Sequence, residues 1–233
     1  QFIATGGSNT RNIWTSPDGR HWTHTNQDYG WVADCASSED TVITAGGFHT
    51  LAVTEDLTDW HLERHSGDHF RTVAYGDGVF VATGAGEAGV STDGQTWTSL
   101  TTIPAPQTRH VAFGNGTFVA VGDAGWIVAS SDRGQTWTGS QISSGNFGSI
   151  VFNGIYFYAG DAASIFRSAD GLTWDRINAS NGIIPRAALG TRLYGTGNGG
   201  FYISEDDGFS WTHTYTFTYG SGFNDAVFEG EPQ

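Results

Sequence analysis

The 233-residue sequence has no methionine, only one cysteine and five prolines, and no apolar run long enough for a membrane-spanning helix. No disulfide can form within the chain, and the apolar run WVADCA around Cys35 predicts a small buried side chain there. Because the chain begins at Gln1 and lacks methionine, we expect that an N-terminal segment was removed. This favours an extracellular, secreted protein.

Positive charge is also scarce. Lysine is missing, and ten arginines stand against 24 acidic residues, which gives a formal net charge of −14. Binding to nucleic acid or to an anionic membrane requires clustered positive charge, so neither partner is expected. The surplus of negative charge favours a soluble monomer.

One turn motif occurs six times, in a chain rich in glycine (34) and tryptophan (nine). In each copy the aspartate can accept hydrogen bonds from backbone N–H groups of its own turn, and the final tryptophan can pack between neighbouring units. Glycine supplies the positive φ of the reversal in five copies. The second has Leu57 instead, so we expect it to be the least regular. The copies span 16–22, 54–60, 91–97, 130–137, 168–174 and 204–211.

The segments between these turns predict three further strands each. "TVAYGDGVFVATGAG" and "HVAFGNGTFVAVGDAG" both read as a strand, a tight glycine turn and a second strand. Four antiparallel strands in each unit of about 40 residues predict an all-β chain, a β-propeller. We assign one domain over 1–233, with blade 1 from 1–26 plus 223–230. The other blades are expected at about 31–64, 70–101, 108–141, 147–178 and 184–216.

The two ends of the chain complement each other. Residues 1–7, QFIATGG, match the second strand of other units, and residues 223–230, FNDAVFEG, match the innermost strand. The C-terminal strand is therefore expected to pair with the N-terminal segment. This pairing closes a six-bladed β-propeller of four-stranded antiparallel blades and removes open sheet edges.

The motif Ser-x-Asp-x-Gly-x-Thr-Trp resembles the Asp box, or BNR repeat, of the sialidase-like β-propellers. The whole unit is similar to BNR-repeat lectins and to the photosystem assembly factor family. The resemblance covers essentially the whole chain and is specific for fold, not for function. It implies that the Asp turns are folding elements at the blade periphery. Ligands would then bind on the opposite face, near the central channel.

The innermost strands carry polar residues where that channel opens. Arg71 and Arg109 each directly precede one of these polar residues, Thr72 and His110, in two neighbouring blades. The pattern predicts either a binding site at the channel mouth or a wet channel whose polar groups satisfy one another. Counted back from the hairpin turn, the aligned position reads Asp34, Thr72, His110, Ser149, Arg186 and Asp225.

Aromatic and histidine residues fall in loops on the same face. Trp126 follows a strand 2–3 loop, whereas Tyr29, Trp31 and His69 lie in blade-to-blade connections. A ring beside Asp, Arg and His side chains is typical of sugar-binding sites. Packing between blades is the alternative, and it is favoured more for Trp31 than for Trp126.

Histidines and an aspartate cluster in the segment HLERHSGDH, residues 61–69. These residue types bind zinc, but no helix is predicted that would place them on one face. We therefore expect no metal and no cofactor.

The first functional hypothesis is a lectin-like, carbohydrate-binding propeller with one or a few unequal sites for a glycan or polysaccharide. The binding residues would be Arg71, Arg109, His110, Arg186, Asp225, Tyr29, Trp31, Trp126 and His69.

The second hypothesis is a glycoside hydrolase or polysaccharide lyase, with Asp34 and Asp225 as the carboxylate pair and His110 as acid or base. A sialidase is not expected, because "IIPRAALG" is not the Arg-Ile-Pro motif of that family. The third hypothesis is a protein-binding scaffold, which would expose an apolar or charged patch on one face.

Overall fold

A computed structural model describes residues 2–6, 12–26, 32–46, 50–64, 70–98, 101–179 and 181–216. The chain is a six-bladed β-propeller of four-stranded antiparallel blades, which confirms the predicted fold class. Among the described residues, blade 1 shows three strands, and the only helical element is one 3-10 turn, Asp123–Gly125. The closing strand predicted at 223–230 lies outside the described residues.

The first three blades are built in chain order. Blade 1 contains β1 (Phe2–Gly6), β2 (Asn12–Ser16) and β3 (Thr23–Asn26). Blade 2 contains β4 (Val32–Ser37), β5 (Val42–Gly46), β6 (Thr50–Thr54) and β7 (His61–Arg64). Blade 3 contains β8 (Phe70–Gly76), β9 (Val79–Gly84), β10 (Glu87–Ser91) and β11 (Thr101–Thr102).

The last three blades repeat that order. Blade 4 contains β12 (Thr108–Gly114), β13 (Thr117–Gly122), β14 (Trp126–Ser130) and β15 (Thr138–Gln141). Blade 5 contains β16 (Ser149–Phe152), β17 (Phe157–Gly160), β18 (Ser164–Ser168) and β19 (Asp175–Ala179). Blade 6 contains β20 (Ile184–Leu189), β21 (Arg192–Gly197), β22 (Gly200–Ser204) and β23 (Thr212–Thr216).

Each Asp turn is held by its own side chains. In blade 3, the Ser91 hydroxyl donates to Asp93 Oδ1 over 3.0 Å and accepts from the Gly94 N–H over 2.8 Å. Asp93 Oδ1 also accepts from the N–H groups of Gln95 and Thr96, at 2.9 and 2.7 Å. These donors, with the Thr96 N–H first, lower the pKa of Asp93. The turn is therefore self-contained, which explains why the motif is visible in the sequence.

The second turn retains the hydrogen bonds between side chain and backbone that hold the others, but it differs at its tryptophan, in agreement with the expectation that it is the least regular. In the other five turns the indole N–H donates to the carbonyl of the turn glycine, and the Trp60 indole does not make this hydrogen bond. Leu57 adopts the left-handed φ of 64° that glycine adopts elsewhere, and its N–H donates to Thr54 Oγ1 over 2.9 Å. Asp56 Oδ1 accepts from the N–H groups of Thr58 and Asp59, both at 2.8 Å. The local hydrogen bonds thus hold a leucine in a conformation that costs about 1–2 kcal/mol for an L-residue.

The apolar core lies between neighbouring blades. Val81 of blade 3 and Phe118 of blade 4 are fully buried in one cluster, and Val119 of blade 4 and Phe157 of blade 5 in the next. Both faces of the second strand in a blade are therefore covered. This packing fixes each sheet against its neighbours and turns the innermost strands toward a common axis.

Candidate functional site

The channel-mouth face is the side of the propeller opposite the Asp turns, where strand 2–3 loops and blade-to-blade connections meet. Its described loop residues are 85–86, 103–107, 123–125, 142–148, 161–163, 181–183 and 198–199. All of these segments are short. Four predicted site residues, Tyr29, Trp31, His69 and Asp225, lie outside the described residues.

Asp34 of β4 binds the neighbouring blade. Its buried carboxylate accepts a hydrogen bond from the Thr72 hydroxyl over 2.5 Å and one from the Val73 N–H over 3.1 Å. The Cys35 N–H donates to its other oxygen over 2.8 Å. These donors satisfy a group whose burial would otherwise be costly.

The same link recurs in the next two blades. Thr72 Oγ1 accepts from the Val111 N–H over 2.9 Å, and His110 Nδ1 accepts from the Ile150 N–H over 3.1 Å. Three successive innermost strands therefore each use one polar side chain to bind the backbone of the following blade. We call Asp34, Thr72 and His110 the inter-blade links.

The inter-blade links also meet one another. His110 Nε2 lies 4.0 Å from Asp34 Oδ2. Because His110 Nδ1 accepts a hydrogen bond, the proton of a neutral ring resides on Nε2, the nitrogen closer to Asp34. The structure thus brings together two of the three predicted catalytic residues, and both have structural hydrogen bonds. Their catalytic role stays a prediction, since Asp225 is not described.

Three arginines lie on β-bulges where the innermost strands begin. The pairing register shifts between Phe70 and Thr72 in β8, and Arg71 is the extra residue. Arg109 occupies the bulge of β12 and Arg186 the bulge of β20. Arg71 and Arg109 are equivalent, whereas the bulge of Arg186 lies two residue pairs further along its strand, so Arg186 matches neither these arginines nor His110, with which the sequence alignment had placed it. Bulges redirect side chains, which explains why these half-buried arginines sit at the mouth of the channel.

Two of these arginines make different contacts. Arg109 forms an ion pair with Asp123 of the 123–125 loop, and both side chains are 35 % exposed. Arg186 donates to Thr196 Oγ1 of its own blade over 3.1 Å and to the Gly148 carbonyl of blade 5 over 3.0 Å. Arg109 thus retains contact with solvent, whereas Arg186 joins two blades.

Asp161 aligns with Asp123 in the sequence, but its environment is different. It is buried and accepts hydrogen bonds from the Ser143 hydroxyl and from the N–H groups of Ala163 and Ser164, at 2.7 and 2.6 Å. Asp161 therefore fixes the blade 4–5 connection to the loop of blade 5. Of these two carboxylates, only that of Asp123 contacts a bulge arginine.

Trp126 packs against the core between blades 3 and 4 and is only partly exposed. It is the only one of the three predicted aromatic site residues that the structure describes. Its contacts agree with the packing alternative that the sequence left open.

No group of three or more His, Cys, Asp or Glu side chains within the described ranges is arranged to hold a metal ion. His61 of β7 is exposed, and residues 65–69 of its histidine-rich segment are not described. Across the same ranges, the structure contains no helix with the length and apolar character needed to cross a bilayer.

Comparison with known proteins gives structural similarity only. No protein-family model matches the chain, and no curated protein does so. A structure of YCF48 bound to D1 peptide has a TM-score of 0.60 and 21 % identity, covering 78 % of this chain and 65 % of that one. YCF48 from Cyanidioschyzon merolae has a TM-score of 0.68 and 16 % identity, covering 88 % and 79 %. The RRP9 WD40 repeats have a TM-score of 0.70 and 12 % identity, covering 93 % and 77 %. At these identities the likeness shows the fold alone.

Proposed function

We propose that this propeller is a protein-binding scaffold that holds an extended peptide segment of a partner across the channel-mouth face. The observation that carries the proposal is the position of Arg71, Arg109 and Arg186. A chain with only ten arginines and no lysine places three of them on bulges of its innermost strands, with Arg71 and Arg109 at the same register in neighbouring blades. Proteins of similar structure include propellers that bind protein segments, among them YCF48 with its D1 peptide.

The shape of the described face supports a peptide better than a small substrate. Its loops are short, so they build a shallow platform and not the enclosed cleft typical of small-molecule sites. Asp34 and His110 bind the neighbouring blades through atoms that catalysis would need. An extended segment requires only surface contacts and a few charged anchors.

The Arg109–Asp123 pair offers a mode of recognition. A partner carboxylate, from an acidic side chain or a chain terminus, would replace Asp123 at a guanidinium that already donates to one carboxylate. Arg109 contacts Asp123 through Nε, and a guanidinium can bind a carboxylate through two parallel N–H donors, so a partner carboxylate can use the same donor. We infer a partner segment that carries at least one carboxylate.

Carbohydrate binding, the first hypothesis from the sequence, has less support because Trp126 is packed against the core. The six self-contained turns support a relationship to the Asp-box propellers, which we propose. We also propose that the protein is located outside the cell.

Selection from a displayed library of random peptides of about twelve residues tests this function. Selected peptides should be enriched in Asp or Glu and should bind the Arg71→Gln/Arg109→Gln variant at least about tenfold more weakly, a loss of about 1.4 kcal/mol. Arg133→Gln is the matched control, because Arg133 is exposed on the Asp-turn face and lies 3.7 Å from Asp77. A glycan array and a product-release assay run in parallel. Glycan binding or product release without peptide enrichment would contradict the proposal.

A further inference from the structure

A second surface lies on the opposite side of the propeller, where the Asp turns of blades 5 and 6 meet the hairpins of the same blades. Four large apolar side chains are solvent-exposed there. Their exposed fractions are 57 % for Ile155, 56 % for Leu172, 52 % for Phe209 and 47 % for Leu189. We call these four, with Tyr156, the apolar patch.

Contacts between the two blades show that the members of the patch are neighbours. The Arg167 guanidinium lies over the Tyr156 ring of blade 5 at 4.6 Å and over the Phe209 ring of blade 6 at 5.5 Å. Tyr156 also packs in the same cluster as Ala188, which directly precedes Leu189. Ile155 directly precedes Tyr156, and Leu189 directly follows Ala188, so both exposed residues lie next to this contact in the chain.

The hairpin of blade 4 borders the patch on its other side. The Asn115 amide donates to the carbonyls of Ile155 and Ala169, at 3.2 and 3.1 Å. This contact brings the blade 5 hairpin and the blade 5 Asp turn, which contains Leu172, together. The hairpins of blades 4 and 5 and the Asp turn of blade 5 thus lie side by side, and the exposed apolar area beside them is of the kind that marks interaction sites.

The rim of the patch is acidic. Asp170 lies in one Asp turn, and Glu205, Asp206 and Asp207 lie in the other. Two arginines lie nearby. Arg192 Nη2 is 2.6 Å from Glu205 Oε1, and the Arg167 guanidinium lies over the rings of Tyr156 and Phe209. Asp206 accepts from the hydroxyl and N–H of Ser210, which lower its pKa and keep it charged.

We propose that the apolar patch is a second interaction surface, which binds an amphipathic protein segment carrying lysine or arginine beside its apolar side chains. Charge complementarity selects this occupant. A second copy of the chain would bring another net charge of −14 and the same acidic rim, and an anionic lipid surface would also repel that rim. The proposal is independent of peptide binding at the channel mouth.

The probes are two helical peptides of about 18 residues with the same leucine pattern, one with lysine and one with glutamate on its polar face. Calorimetric titration should show binding of the lysine peptide only. The affinity should fall as NaCl rises from about 0.05 to about 0.5 M, because salt screens exposed charges. Ile155→Ser/Phe209→Ser should weaken binding at least about tenfold. Glu205→Gln should weaken it less.

Tyr215→Ser is the matched control. Tyr215 is 58 % exposed, but it lies on the outer strand β23, away from the patch. Thermal unfolding of each variant shows whether it is folded. Equal binding of both peptides, unchanged binding by the double variant or equal loss in the control would overturn the proposal. Self-association or vesicle binding that depends on Ile155 and Phe209, without binding of the lysine peptide, would overturn it as well.

Discussion

The Nδ1 atom of His110 accepts a hydrogen bond from the backbone N–H of Ile150, on the next blade, over 3.1 Å. Thr72 makes the equivalent contact with Val111 and Asp34 with Val73. The repeat of this contact gives a physical reason for polar residues on the innermost strands. These side chains hydrogen-bond the innermost strand of one blade to the innermost strand of the next. A buried N–H group without such a partner would destabilise the fold.

Replacing His110 tests this reason directly. Ile150 is almost completely buried, so His110→Leu leaves its N–H without that acceptor and should lower the free energy of unfolding by about 1–3 kcal/mol. His110→Gln retains an acceptor and should cost less. Urea denaturation followed by tryptophan fluorescence measures both. Equal stability of the leucine variant and the wild type would show that the link contributes nothing.

Thr72 allows a near-isosteric test. Thr72→Val removes the hydroxyl that donates to Asp34 and accepts from Val111, and each unsatisfied buried group costs about 1–3 kcal/mol. Thr72→Ser retains the hydroxyl and removes only a methyl group. We expect the valine variant to be the less stable of the two in urea denaturation. The opposite order would indicate that packing, and not hydrogen bonding, is the main role of Thr72.

The Asp turns predict the response to acid. The N–H of Thr96 lowers the pKa of Asp93, and the N–H of Thr173 does the same for Asp170. A carboxyl whose pKa is lower in the folded state stabilises the fold above its unfolded pKa, and this contribution is lost as the pH falls toward the folded value. The urea midpoint should therefore be steady above about pH 5 and decline below about pH 4.

Asp93→Asn provides the control for this response, because asparagine retains an oxygen acceptor but does not titrate. The variant should be less stable at neutral pH and should lose less stability on acidification than the wild type. If the urea midpoint of the wild type did not change down to about pH 2.5, the contribution of these turns to stability would be disproved.

Alanine substitutions at two glycines distinguish the cost of backbone strain from the cost of a packing clash. Gly171 and Gly116 have nearly the same φ, 77° and 74°, so alanine costs about 1–2 kcal/mol at either position. A Cβ at Gly171 would also overlap Val119 of blade 4, whereas a Cβ at Gly116 would have nothing within 4 Å. Gly171→Ala should therefore be less stable by about a further 1–3 kcal/mol. Equal melting temperatures would show that the Asp turn is not closely packed on the neighbouring blade.

The sequence predicted the fold class because each Asp turn is local. Ser91, Asp93 and Gly94 make their contacts within a few residues, so spacing and residue type suffice to recognise them. The register of the innermost strands is not local. The bulge at Arg186 is set by pairing with β21, and no motif marks it, so alignment by spacing matched Arg186 with His110.

The environments of loop residues also could not be predicted from the sequence. Asp123 and Asp161 occupy the same place in the repeat, yet Asp161 is buried because Ser143 of the preceding connection lies against it. Trp126 begins a strand and packs against the core of two blades, a contact between segments distant in sequence. In the second turn, local hydrogen bonds hold Leu57 at a positive φ that its side chain disfavours, so a turn can form there without glycine.

Hydrogen–deuterium exchange with and without a selected acidic peptide tests the central claim, recognition at the channel-mouth face, most directly. The peptide should slow exchange in segments 70–72, 103–110 and 123–126, and should leave the Asp-turn segments 153–156 and 204–210 unchanged. Slower exchange confined to the Asp-turn segments, or no change in 103–110, would contradict the account.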